Sequence, residues 1–248
     1  MLGQAYTQKL IQKRYPAKMH PYNVFERRIR NYLDPSLTLL DAGCGRTAPL
    51  AIKFKSILRR TIAADLVDFD RSVDGMADIE LLCNDLSEIE LDSNSVDLVI
   101  SRSVMEHLQE PLPVYASINR VLKDSGHFIF LTPNVADYVS IFAKLIPNKF
   151  HPWIVSKVEG RNEEDTFPTF YRSNSFLAIS RLARRSGFEL VSLEYLSQVP
   201  SCFQFNVMLF MLAMGYEIVV SRVEKLKYLR SWLMVVLRKR HRLEVCSC

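Results

Sequence analysis

The chain has 248 residues, 48% of them apolar and 24% charged, which excludes a disordered chain and bounds the fold at one large α/β domain or two small ones. Its formal charge of +5 is uneven: eight Lys/Arg and one Glu fall between Arg222 and Arg242, and the remainder is close to neutral. Charge confined to the tail argues against a nucleic-acid-binding protein and for an anionic surface, such as a membrane, met near the C-terminus. Five cysteines (Cys44, Cys83, Cys202, Cys246 and Cys248) without CxxC spacing predict neither a disulfide framework nor a metal site. The segment Met1–Tyr15 has no continuous apolar core of the signal-peptide kind, so a reducing cytoplasm is the default compartment.

In chain order, Tyr22–Leu33 reads as an amphipathic helix. Five strand-like runs follow: Leu37–Ala42, Thr61–Ala64, Ile79–Cys83, Val96–Ile100 and Phe128–Leu131, each near-continuous in apolar residues, as parallel strands covered on both faces are. Helical stretches lie between them at Thr47–Leu58 and Leu112–Lys123. An aromatic-rich insert, 137–172, comes next, and a connection this long is usually a lid or binding element. Asn174–Ser186 reads as a further helix stopped by Gly187, and Phe188–Tyr195 and Trp232–Leu237 as two more strands. The alternation predicts an α/β fold with a doubly wound, mostly parallel seven-stranded sheet and its cofactor core at 37–134.

The segment Leu39-Leu40-Asp41-Ala42-Gly43-Cys44-Gly45-Arg46-Thr47-Ala48-Pro49 is a buried strand, a glycine turn and a helix start. Two glycines let the backbone approach a ligand closely, Pro49 suits a first helical turn, and Thr47 is the expected cap. Gly43-x-Gly45-x-x-Ala48 formally fits a dinucleotide fingerprint, with Asp65 twenty residues beyond Gly45 as the ribose acid. Asp41 speaks against it. A carboxylate about 4 Å from a pyrophosphate charge costs about 4 kcal/mol at an effective dielectric near 20. A ligand carrying an ammonium and a sulfonium, and no phosphate, turns that penalty into attraction.

The run from Leu39 to Asn134 resembles a class I S-adenosylmethionine-dependent methyltransferase of the small-molecule type and is similar to the ubiquinone and menaquinone methyltransferases. The pieces are Leu-Leu-Asp-Ala-Gly-Cys-Gly (39–45), Ala64-Asp65, Asn84-Asp85-Leu86, the run 95–108 ending Met105-Glu106-His107-Leu108, and 120–128. The resemblance implies S-adenosylmethionine as cofactor. By position, Asp41, Ala42, Gly43, Cys44 and Gly45 hold the methionine moiety, Asp65 the ribose hydroxyls and Asp85 the adenine amino group. Leu86 gives a backbone contact, and Ser101 and Arg102 line the methionine side. Two departures stand out: Thr47 replaces a usual third glycine, and the short acidic stretch Val67–Ile79 implies an abbreviated helix.

Methyl transfer is an in-line displacement governed by positioning, and a base is needed only if the acceptor must lose a proton. His107 is the first candidate base and His151 the second, although a packing or hydrogen-bonding histidine is the commoner reading of each. Glu106 reads as solvent-facing or structural. The insert 201–230 combines an apolar stretch, Cys202–Val220, with the basic residues after it. A buried or capping helix, an interfacial membrane helix and a membrane span all fit this stretch. The reading that unites these features is methylation of a small, lipid-like acceptor at O, N or C. The other is a non-catalytic module of the same fold that binds the cofactor or a partner.

Overall fold

The computed structural model describes residues 2–138, 167–198, 203–204 and 206–241. His151, Cys202, Cys246, Cys248 and most of the insert 137–172 lie outside the described residues. Seven strands form one sheet: β1 (Thr38–Ala42), β2 (Arg60–Asp65), β3 (Glu80–Cys83), β4 (Val96–Arg102), β5 (Leu122–Pro133), β6 (Phe188–Leu196) and β7 (Trp232–Lys239). Their order is β3-β2-β1-β4-β5-β7-β6; the first five run parallel and β7 is antiparallel to both neighbours. All seven predicted strands are present.

Alternation along the strands sends side chains to two cores. One face carries Leu40, Val99, Phe128 and Val235 against α4 (Pro111–Val121) and α5 (Phe176–Arg185). The opposite face carries Leu39, Leu98, Ile100 and Ile129 against α2 (Pro21–Arg30) and α3 (Pro49–Phe54). The same period places Asp41 on the face of Leu39, and Arg102 on the face of Leu98 and Ile100. Both charges therefore belong to the α2–α3 side.

Several expectations need correction. β3 is an edge strand with exposed or half-exposed residues throughout, so it is not covered on both faces. The helix predicted from Thr47 begins at Pro49, because Ala48 occupies the left-handed region (φ 38°) and is itself the N-cap. Thr47 is not the cap. The stretch after Asp65 holds one 3-10 turn, Met76–Asp78, in line with an abbreviated helix. The N-terminal segment forms α1 (Leu2–Arg14), which the sequence reading did not assign and which packs on α6 (Val207–Arg222). Among the described residues no helix is long and apolar enough to cross a membrane.

Tyr115 of α4 is wholly buried among Phe128, Phe130 and Phe188, with edge-on ring contacts of 5.9–6.4 Å, and its hydroxyl meets Ser173 Oγ at 2.8 Å. Tyr115→Phe keeps the ring packing but orphans Ser173. We expect a loss of about 1–2 kcal/mol in chemical denaturation; no loss would show that this hydrogen bond contributes nothing.

Candidate functional site

The site is built at the carboxyl ends of β1, β2, β3 and β4, where open α/β sheets take their ligands. Gly43 and Gly45 both have positive φ, +74° and +72°. A Cβ on Gly43 would lie 2.2 Å from Val104 Cγ2, so only glycine lets the loop after β4 close over the turn. A Cβ on Gly45 would meet nothing within 4 Å, so this side of the turn is an open cradle. The turn is held from below: the Gly43 and Cys44 amides donate to the Ala64 carbonyl at 2.8 and 3.3 Å.

Asp41 is 1% exposed, and its Oδ2 accepts from the Ala51 amide at 3.1 Å. It thereby supplies the side-chain cap that Ala48 cannot give α3. Burial pushes its pKa up to about 7; the Ala51 hydrogen bond and Arg102 oppose that shift, and Asp65 adds to it. Asp65 Oδ2 accepts from the Gly45 amide at 2.7 Å and Oδ1 from the Val67 amide at 3.2 Å, so the second strand end braces the glycine turn. Cys44 is held as a neutral thiol by burial first, then by the Asp41 and Asp65 carboxylates, which leaves it a filler and not a nucleophile.

Asp85 stands one strand further out. It is exposed, follows Cys83, which pairs with Asp65 across β2–β3, and caps a 3-10 turn through Ser87 N to Oδ1 at 2.7 Å. Leu86 buries its side chain in the core, leaving only backbone to face a ligand. Ser101 is fully buried and donates to the Ala42 carbonyl at 2.7 Å, tying β4 to β1. Arg102 remains partly exposed, with its guanidinium 4.5 Å from the Tyr22 ring centroid and 4.0 Å from Glu26.

The sequence reading missed the contribution of α2. Tyr22 places its hydroxyl 3.3 Å from Ser103 Oγ and its ring edge-on to Trp232 at 5.6 Å. His20 caps α2 through Tyr22 N, and its pKa is lowered by burial and by Arg102. Nothing in the local spacing marks their place at the site, because Ser103, Arg102 and Trp232 lie more than 80 positions away.

His107 sits in the 3-10 turn Met105–His107, three residues after the Val104 that covers Gly43. Its Nδ1 is 3.0 Å from the Pro168 carbonyl, which only accepts, so Nδ1 carries the proton and Nε2 is the basic nitrogen. Glu106 is buried, not solvent-facing: its Oε2 accepts from Thr132 Oγ1 at 3.1 Å and its Oε1 lies 3.9 Å from His107 Nε2. The structural half of its expectation stands.

Asp41 has a direct stability consequence. Its folded pKa of about 7 lies above the ordinary 3.8, so the folded protein keeps a proton that the unfolded chain releases. The stability associated with that proton is fully present below the ordinary value and is lost as the pH rises through 7. Asp41→Asn keeps an acceptor for Ala51 N without the buried charge. We expect its melting temperature to exceed that of wild type at pH 8 and the difference to shrink or reverse at pH 4; an equal difference at both would contradict the shift.

Residues 40–130 match a family model described as a methyltransferase domain. No curated protein sequence matches the chain. Among solved structures, it is similar to a proposed methyltransferase of Bacillus halodurans C-125 (14% identity, 87% of this chain and 99% of that one, TM-score 0.54). It is also similar to geranyl diphosphate C-methyltransferase of Streptomyces coelicolor A3(2), solved with Mg2+, geranyl diphosphate and S-adenosyl-L-homocysteine (14%, 86% and 76%, TM-score 0.55). A third likeness is to a chain of the complex between the Haloferax volcanii Trm112 methyltransferase activator and a proposed methyltransferase (16%, 96% and 98%, TM-score 0.58). At these identities the solved structures establish the fold, and the match over 40–130 makes that core a methyltransferase domain with S-adenosylmethionine as its cofactor.

Proposed function

We propose that the protein transfers a methyl group from S-adenosylmethionine to a small, lipid-like acceptor. The observation that carries the cofactor half of this reading is the open cradle at Gly45 above the buried Asp41 carboxylate. Asp41, with the Ala42, Gly43, Cys44 and Gly45 backbone, holds the methionine end and its ammonium, while Arg102 faces the methionine carboxylate. Asp65 accepts from the ribose hydroxyls; each of its oxygens has spare lone-pair capacity beyond the Gly45 and Val67 amides. Asp85 accepts from the adenine amino group beside the Leu86 backbone. When bound, the cofactor supplies an electrophilic methyl group on a sulfonium.

The protein's own work is orientation and proton handling. The rigid ends of β1 and β4 fix the turn and its cover, which holds the reacting groups in near-attack geometry. His107, with Nδ1 donated to the Pro168 carbonyl, takes a proton from the acceptor on Nε2, and the Glu106 carboxylate compensates the positive ring. The exposed side chains of Phe167 and Phe170 stand beside this histidine and favour an apolar acceptor; Phe167 meets the His107 ring at 6.1 Å. An anionic membrane surface is the partner this acceptor class calls for.

Mass spectrometry of a lipid and metabolite extract, incubated with isotopically labelled donor, identifies the acceptor; donor binding without any labelled product would establish a binding module. For the site, Asp65→Ala removes charge-assisted hydrogen bonds, and we expect donor affinity to fall about 10–100-fold by calorimetry. His107→Ala should leave that affinity within about twofold while lowering turnover about 10²–10⁴-fold. Unchanged affinity in the first, or unchanged turnover in the second, overturns the corresponding role.

A further inference from the structure

α6 (Val207–Arg222) is apolar on two opposite faces. One face buries Phe210, Ala213, Met214 and Val220, together with Glu217. Glu217 is tied to the sheet through Ser231 Oγ at 3.2 Å and Gln198 N at 3.3 Å, which fixes the helix over the ends of β6 and β7. Trp232, the first residue of β7, pairs with Pro133, the last of β5, so α6 lies at the same end of the sheet as the glycine turn. The other face consists of Met208, Leu212 and Val219, spaced i, i+4 and i+11, with Met211 beside them. They are 70%, 65%, 51% and 44% exposed respectively. A soluble helix normally turns polar residues to that side; here the stripe is interrupted only by the exposed Gly215 and ends in Arg222.

The charge around this stripe is selective. The six-residue 3-10 helix Glu224–Leu229 follows α6 directly, and Arg230 ties it back by donating to the Val220 and Ser221 carbonyls at 3.3 and 3.2 Å. Glu224, the one acidic residue between Arg222 and Arg230, pairs with Lys227 and Arg230 at 3.0 and 3.1 Å. Arg222 and Lys225 are exposed and make no ion pair among the described residues. The surface therefore offers an apolar stripe with two unneutralised cations at its end.

We infer that the exposed face of α6 is an interfacial docking surface for an anionic lipid bilayer, entered by Met208, Met211, Leu212 and Val219 and held by Arg222 and Lys225. The apolar stripe lies in the acyl boundary while the cations stay with the headgroups. Docked this way, the substrate end of the sheet stands beside the membrane, and an acceptor passes from the bilayer to the site without crossing bulk water. The inference rests on the proposed lipid-like acceptor only for what the surface delivers; docking itself needs neither cofactor nor catalysis.

The test is co-sedimentation of the full chain with vesicles of phosphatidylcholine alone or with 30% phosphatidylserine, a composition set at roughly the anionic content that gives a negative surface potential. Wild type should pellet with the anionic vesicles at low salt, be released as salt rises, and pellet weakly with the neutral ones. Arg222→Gln with Lys225→Gln should weaken anionic binding roughly 30-fold, at about fivefold per charge. Met208→Glu with Leu212→Glu should abolish binding to both vesicle types. Both double variants change exposed side chains, so their melting temperatures and donor affinities should match wild type. That control separates loss of docking from failure of the cofactor site. Absence of pelleting by wild type at low salt overturns the inference. So does a wild-type dimer that the Met208/Leu212 variant converts to monomer, which would make the face a contact between copies.

Discussion

Asp41 stands one residue before the end of its strand, inside the protein, where an ionised carboxylate loses nearly all its water, and the surrounding groups respond to that one cost. The Ala51 amide and the Arg102 guanidinium favour its charge; burial and the Asp65 carboxylate oppose it, and the balance leaves a group that titrates near neutrality. A buried carboxyl in this condition is poised for a cation. The site thus keeps an affinity for positive charge in reserve, and the neighbouring glycine cradle gives that charge a way in.

The same period-two alternation that builds the two cores also delivers the site. Asp41 and Arg102 share the α2–α3 face because each lies an even number of residues from a core leucine, Leu39 or Leu98. Ser101, one residue out of phase, is turned into the fold and serves as a tie between β1 and β4. Asp65 then serves two ends at once: it braces the glycine turn through the Gly45 amide and keeps lone pairs to spare. The loop after β4 closes over Gly43, so the element that forms the cradle is also the one that carries His107 to its neighbourhood.

Much of this was readable in the chain. Apolar runs marked the central strands because strands covered on both faces leave no room for polar alternation, and a doubled glycine with an acid two positions before it marked the turn. Local signals failed where the outcome depended on distant partners. The cap of α3 comes from Asp41, ten residues from the amide it serves, and so the nearby Thr47 misled. Glu106 read as solvent-facing or structural, and only Thr132 and the 167–171 segment decide between the two. Tyr22 and His20 gained their place over Arg102 only through the docking of α2 against β4 and β7. The edge position of β3 followed from strand order, which composition does not encode.

The central claim is that the Asp41 carboxyl exchanges its proton for the positive charge of the cofactor. Calorimetry of S-adenosylmethionine binding at pH 7, in buffers of different ionisation enthalpy, reads this directly. A carboxyl with a pKa of about 7 is about half protonated there, so binding should release roughly half a proton more from wild type than from Asp41→Asn, and the variant should bind more weakly. Equal proton release by the two proteins, with equal affinity, would contradict the account.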